Sequence, residues 1–268
     1  MSQKKNKQRL DVLLVNKGII SSREKAKAEI MCGNVLVNTQ VVDKPGTRVS
    51  IDSVITIKES LPYVSRGGLK LEKALLLFNI DVKNKIVLDA GASTGGFTDC
   101  MLQNGAKKVY AVDVGYGQLA YTLREDARVV VLERKNVRYL SLEDIGEKTD
   151  IITADLSFIS LSKVFETFYQ LLKKDGDLIT LIKPQFEVGK EEVGKRGVVK
   201  GFKLHVKAVN KVIADAREHH FNICDFTHSP IKGPKGNIEY LAHFRKDLKN
   251  GKFIYIEEAV KKSHLELL

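Results

Sequence analysis

Two lysines and two carboxylic acids, Lys70, Asp155, Lys183 and Glu239, stand far apart in the chain, each at the edge of a segment that reads as a structural element. Gathered in one place, they can run proton chemistry. Two amines and two carboxylates nearly cancel one another's charge, so a single cleft can hold all four. An amine accepts a proton only when unprotonated; burial and neighbouring positive charge lower a lysine's pKa, and close carboxylates raise it, so their balance sets the strength of the base. Taken singly, any of the four reads as half of a surface salt bridge.

The elements around these residues bring them together. KIVLDA (85–90), VYAVDV (109–114), RVVVLE (128–133), DIITADL (150–156) and DLITLIK (177–183) are apolar runs rather than alternating ones, as expected of parallel strands buried on both faces. Stretches of helical character separate or follow them at 96–104, 116–125, 161–173 and 203–219. This alternation predicts a doubly wound α/β fold. Two late strands, about 223–228 and 238–245, complete a seven-stranded sheet, the last antiparallel. In open sheets of this kind ligands bind at the carboxyl ends of the strands. Asp155 ends the fourth strand and Lys183 the fifth, where Pro184 stops it. Lys70 lies in the helix before the first strand, and Glu239 opens the last one after the turn Gly233-Pro-Lys-Gly-Asn.

A glycine-rich turn, Asp89-Ala-Gly-Ala-Ser-Thr-Gly-Gly-Phe-Thr98, follows the first strand and opens a helix. Gly91, Gly95 and Gly96 let backbone approach a ligand closely. The spacing is not that of a dinucleotide loop, because Ser93 occupies the place of the second glycine. Asp113 ends the second strand, where a carboxylate accepts hydrogen bonds from ribose hydroxyls, which fits an adenosine-containing ligand. D-x-G-x-x-x-G-G followed by such an acid resembles the S-adenosylmethionine loop of class I methyltransferases. A cationic sulfonium, unlike a pyrophosphate, tolerates Asp89 and Asp155 nearby. Phe97 and Asn136 are candidates to contact the cofactor, with a core phenylalanine and a turn asparagine as the plain alternatives.

Residues 1–60 carry eleven Lys or Arg against six acids, so the +11 formal charge of the 268-residue chain is concentrated at the front. Such an excess points to a polyanionic partner. A short helix around Leu10–Ile19, a second over 23–32 capped by Ser21-Ser22 and ended by Gly33, and strands at 35–38 and 49–57 form a small unit. The segment RLDVLLVNKGIISSREKAKAEIMCGNVLVNTQVVDKPGTRV resembles the S4 RNA-binding domain. The resemblance implies that Arg9, Arg23, Lys25 and Lys27 face RNA phosphates, contacts that give affinity with little sequence selection.

SRGGLKL, DAGASTGGFTD, AVDVGYGQL, ADLSFISL, LIKPQFEVGKEEVGKRGVV and GNIEYL, taken in order, resemble successive motifs of the TlyA (hemolysin A) family of ribosomal RNA 2′-O-methyltransferases, related to the FtsJ-type enzymes. The resemblance implies a class I methyltransferase Rossmann-like domain over 65–268, an S4-like RNA-binding domain over 1–58 and a linker over 59–64. It also implies S-adenosylmethionine as methyl donor, ribosomal RNA or ribosomal subunits as partner, a cytidine ribose as target, and the tetrad as the catalytic set. The expected cofactor contacts are then Asp89, Gly91, Ser93, Gly95, Gly96, Phe97, Asp113, Asn136 and Asp155. Arg66 joins the RNA contacts. Lys183 is expected to be the base or to steer the hydroxyl, Asp155 and Glu239 to orient the amines, and Lys70 to position the ribose and its phosphate.

Other classes fit less well. A pore-forming protein, as the family's older name suggests, needs a long apolar or amphipathic segment, and no apolar run here approaches the roughly 20 residues of a span. A non-catalytic RNA-binding protein would not need the tetrad and glycine loop together. No leader-like cleavage site follows the first residues, so the cytoplasm is the expected location. Cys32, Cys100 and Cys224 are scattered and read as reduced thiols; His219-His220 has no partner at metal-ligand spacing and reads as an exposed helix end, so no metal is expected. The Gly- and Lys-rich segment 187–203 is either a loop closing over the substrates or a mobile surface insertion.

Overall fold

The computed structural model describes residues 6–31, 33–57, 62–246 and 254–267, and the chain divides into two compact units between Pro62 and Tyr63. Half of the expected linker, 59–61, together with residue 58 and Cys32, lies outside the described residues.

In the first unit, strand β1 (Lys7–Arg9) leads into helices α1 (Leu10–Asn16) and α2 (Arg23–Met31), followed by β2 (Val35–Val37), β3 (Gln40–Val41), β4 (Arg48–Ser50) and β5 (Ile55–Ile57). Ser22 caps α2, its Oγ accepting from Lys25 N. Leu10, Leu13, Leu14, Ala26, Ile30, Val35, Val37 and Val49 form its core. The single strand expected over 49–57 is two strands: β4 pairs with β1, whereas β5 pairs with β2. A turn closed by Ser53 N on Ser50 O separates them, so alternation of apolar residues across a tight turn mimicked one strand.

The second unit begins with α3 (Gly67–Phe78). Leu71, Ala74, Leu75 and Phe78 recur at helical spacing and are buried, and Asn79 ends the helix in the left-handed region. There follow β6 (Ile86–Ala90), α4 (Gly96–Gln103), β7 (Lys108–Asp113), α5 (Tyr121–Arg124), β8 (Val129–Glu133), α6 (Leu142–Ile145), β9 (Thr149–Ala154), α7 (Phe165–Leu171), β10 (Leu172–Ile182), α8 (Pro184–Glu187), α9 (Phe202–Glu218), β11 (Phe221–His228), β12 (Tyr240–Lys246) and α10 (Ile256–Leu267). The helix expected over 116–125 is confined to α5, and that over 161–173 is a 3₁₀ turn (Leu161–Lys163) followed by α7. The fifth strand starts five residues earlier than its apolar run, because polar Lys173–Asp175 extend it past a register break between Leu172 and Asp177.

The seven strands run β11-β12-β10-β9-β6-β7-β8, with β12 antiparallel to both neighbours. One apolar layer, including Phe165, Phe168, Val209, Val212 and Phe244, covers one face; the other, including Leu71, Phe78, Phe97 and Met101, covers the opposite face. Chain order reverses between β6 and β9, which places a ligand crevice at their carboxyl ends.

Candidate active site and RNA-binding face

The tetrad resolves into two pairs at that crevice. Lys70 on α3 is held to the sheet by Glu239, with Nζ 2.6 Å from Oε2; the residues are 7% and 1% exposed. Lys70 is buried because it precedes Leu71 on the face that α3 packs inward. Lys183, 8% exposed at the end of β10, lies 2.6 Å from Asp155 Oδ1 and donates to Ser157 Oγ at 2.9 Å. The aligned hydrogen bond goes to the serine; Asp155 Oδ1 has no hydrogen-bond donor although it is buried and ion-paired. Lys183 and Glu239 line one cavity of about 320 Å³, and Asp155 lines a second of about 550 Å³. Ser157 and Phe158 line both, so the cavities meet at the turn after β9.

Of the expected cofactor contacts, Gly91, Ser93, Asp113, Asn136 and Asp155 line the larger cavity. Gly91, at φ +87°, brings its loop so close to the β9 end that a Cβ would lie 2.7 Å from Asp155 O. Asp113 spans two loops, accepting from Ser93 N at 2.8 Å and Gly115 N at 2.7 Å. Asn136 caps a 3₁₀ turn, with Oδ1 accepting from Arg138 N.

The remaining expected contacts lie elsewhere. Asp89 is wholly buried beneath the loop and accepts from Thr98 Oγ1 at 2.7 Å and Thr153 Oγ1 at 3.0 Å. Burial pushes its carboxyl up to about 6 against the pull of those hydroxyls. Phe97 packs in the apolar layer under α3 and α4. Gly96 serves helix contact: a Cβ there would sit 2.8 Å from Gly68 N, so the TGGF and SRGG motifs are small because two helix starts cross. Gly95 packs against Leu119 and Leu123. Glycines in a loop of this kind have two uses, and sequence alone does not divide them.

Two further residues, Ser157 in ADLSFISL and Glu187 in LIKPQFEV, lie inside the family motifs without being expected at the site. Ser157 binds Lys183, as above. Glu187 fastens the turn after β9 to the turn after β10, its Oε2 accepting from Ser160 Oγ at 2.6 Å and its Oε1 from Leu161 N at 2.8 Å. In segment 187–203, Val193 and Gly197 line the smaller cavity and Val199 is buried, whereas Lys190, Glu191 and Gly194 to Arg196 are exposed. Cys100 is buried and Cys224 half-buried, both free; among the described residues no cluster of metal-ligating side chains is found.

Arg66, at the start of α3, is exposed and donates to Lys232 O at 3.2 Å. In the first unit Arg9 and Arg23 converge on one acid. Arg9 makes two 3.0 Å hydrogen bonds to Asp11, and Arg23 Nε makes one of 3.1 Å. Asp11 is fully buried while the arginine side chains stay 45% and 50% exposed, so the acid aims two guanidinium groups at solvent. Hydrogen bonding by Arg9 holds the Asp11 carboxyl down to about 2. Lys25 and Lys27 lie exposed on α2.

Residues 8–55 match the S4 domain and residues 63–246 the FtsJ-like methyltransferase domain. The 16S/23S rRNA (cytidine-2′-O)-methyltransferase TlyA of Mycobacterium tuberculosis (strain ATCC 25618 / H37Rv) is 45% identical over 239 residues, spanning 88% of this chain and 89% of that protein. Hemolysin A of Brachyspira hyodysenteriae is 45% identical over 237 residues, spanning 88% and 99%. A solved structure from Streptococcus thermophilus, which bears the hemolysin name, aligns at a TM-score of 0.77 and 43% identity over 98% of this chain and 97% of that one. Among the described residues no helix is long and apolar enough to cross a membrane. With its tetrad at the crevice of a methyltransferase sheet and an S4 domain in front, the chain belongs to the TlyA (hemolysin A) family of ribosomal RNA 2′-O-methyltransferases.

Proposed function

We propose that this protein transfers the methyl group of S-adenosylmethionine to a ribose 2′-hydroxyl, that of a cytidine in small- or large-subunit ribosomal RNA, and does so in the cytoplasm. The observation that carries this reading is the pairing of each lysine with its own carboxylate beside two cavities that share Ser157 and Phe158.

The larger cavity suits the cofactor. Its charged lining includes two acids, Asp113 for ribose hydroxyls and Asp155 near a cationic sulfonium, with Lys135 and Arg138 also on its wall. Gly91, Ser93, Asp113, Asn136 and Asp155 would hold it. When bound, S-adenosylmethionine supplies an electrophilic methyl group. Lys183, in its amine form, would steer the 2′-hydroxyl and receive its proton as the oxygen–carbon bond forms and the donor's sulfur–methyl bond breaks to leave a neutral thioether. Asp155 and Ser157 fix where Lys183 Nζ stands. Lys70, fixed by Glu239, holds positive charge against the ribose and its phosphate. The exposed Arg9, Arg23, Lys25, Lys27 and Arg66 supply phosphate contacts.

The test is methyl transfer from labelled cofactor to purified small and large subunits from a strain lacking the gene, followed by mapping of the modified ribose. Labelled cytidine 2′-O-methyl in either subunit is expected; no transfer to either would overturn the reading.

A further inference from the structure

The wall of the smaller cavity is held by two buried side chains outside the tetrad, Asn237 in its lining and His205 behind it. Asn237 is 2% exposed; its Oδ1 accepts from Val199 N at 3.0 Å, and its Nδ2 donates to Gly197 O at 2.9 Å. Asn237 and Gly197 line the cavity that Lys183 and Glu239 share. From the other side, His205 on α9 places Nε2 3.1 Å from Val199 O and Nδ1 2.7 Å from Tyr240 Oη. Tyr240 directly follows Glu239, and its hydroxyl lies 3.1 Å from Ser263 Oγ on α10.

The protons in this chain can be placed. Val199 O only accepts, so the imidazole hydrogen sits on Nε2. Burial lowers the His205 pKa, and the His264 ring 4.9 Å away adds to that effect, so the imidazole is neutral. Nδ1 is then bare and takes the Tyr240 hydroxyl hydrogen. Ser263 directs its own hydrogen to Val260 O at 2.7 Å. Both backbone polar groups of Val199 are therefore satisfied by side chains, one from α9 and one from the approach to β12.

We propose that His205 and Asn237 are positioning residues for methyl transfer, clamping the 197–199 backbone as the wall against which the target ribose is set, with the Tyr240 hydroxyl fixing the His205 ring. The inference rests on the reading that this cavity receives the ribose. Neither residue touches the reacting atoms; each acts through the backbone it holds.

Three variants of the full chain separate this role from a general structural one. His205→Gln keeps an N–H for Val199 and an acceptor for Tyr240; His205→Leu removes both; Asn237→Ala removes the opposite half of the clamp. The Leu and Ala variants are expected to lower kcat or raise the KM for RNA by about tenfold or more while the S-adenosylmethionine Kd stays within about twofold, and Gln is expected to retain most activity. Hydrogen exchange at the amides of 197–200 should quicken in the Leu and Ala variants. Unchanged exchange in both overturns the clamp, and faster exchange with unaltered kinetics overturns the positioning role. Exchange needs no substrate, so faster exchange in a protein whose wild type methylates no RNA counts against the proposed activity and leaves the clamp standing. Should His205→Leu fail to fold, Asn237→Ala and His205→Gln carry the same decision.

Discussion

Lys70 and Glu239, 169 residues apart in sequence, meet as a buried ion pair of 2.6 Å that joins α3 to the start of β12. A buried pair stabilises little against an apolar pair of similar volume, but removing one partner leaves an uncompensated charge and costs about 3–5 kcal/mol. Lys70→Met and Glu239→Leu are therefore each expected to lower stability by about that amount, and the double variant to recover most of it, in urea unfolding. Methyl transfer should be lost in all three. A double variant that regains activity along with stability would show that the pair is only structural.

Asp11 gives a second prediction, on the RNA-binding unit. Its carboxyl titrates at about 2 in the folded protein against an ordinary 3.8, so its contribution is complete above the ordinary value and is lost as pH falls through about 2. Acid unfolding of this unit, followed by amide NMR signals, should begin at higher pH in Asp11→Ala than in wild type. Arg9 and Arg23 lose their common anchor, and RNA affinity should fall roughly tenfold. Identical acid titrations and RNA affinities for the two proteins would refute the anchor.

Asp89 runs in the opposite direction. Its folded value of about 6 lies above the ordinary 3.8, so the folded state holds the proton longer and stability falls as pH rises between the two values. Asp89→Asn should flatten the pH dependence of Tm across that window. Because Asp89 faces Thr98 and Thr153 rather than the cavity, the cofactor Kd should change by no more than about threefold. A large loss of cofactor binding in a normally folded variant would restore Asp89 as a direct contact.

The parallel sheet was legible because strands covered on both faces are continuous apolar runs; Asp155 and Lys183 stand at the ends of two such runs, whereas Lys70 lies in a helix and Glu239 just before the antiparallel β12. What escaped has physical causes. Gly96 and Phe97 sit in a motif that suits a ligand, yet one serves a helix crossing and the other the core. Asp11 is an ordinary acid in a helix until Arg9 and Arg23 fold onto it. Asn237 stands inside GNIEYL and His205 six residues past KRGVV, yet their value depends on the course of residues 197–199, which no local spacing reveals.

The central claim, that Lys183 handles the hydroxyl proton, is met most directly by single-turnover methyl transfer with Lys183→Ala, alongside calorimetric binding of S-adenosylmethionine. Transfer should fall by about 10³-fold or more while the cofactor Kd moves by less than about threefold, because Lys183 lines the cavity assigned to the ribose. Transfer near the wild-type rate in a folded, cofactor-binding Lys183→Ala protein would contradict the claim.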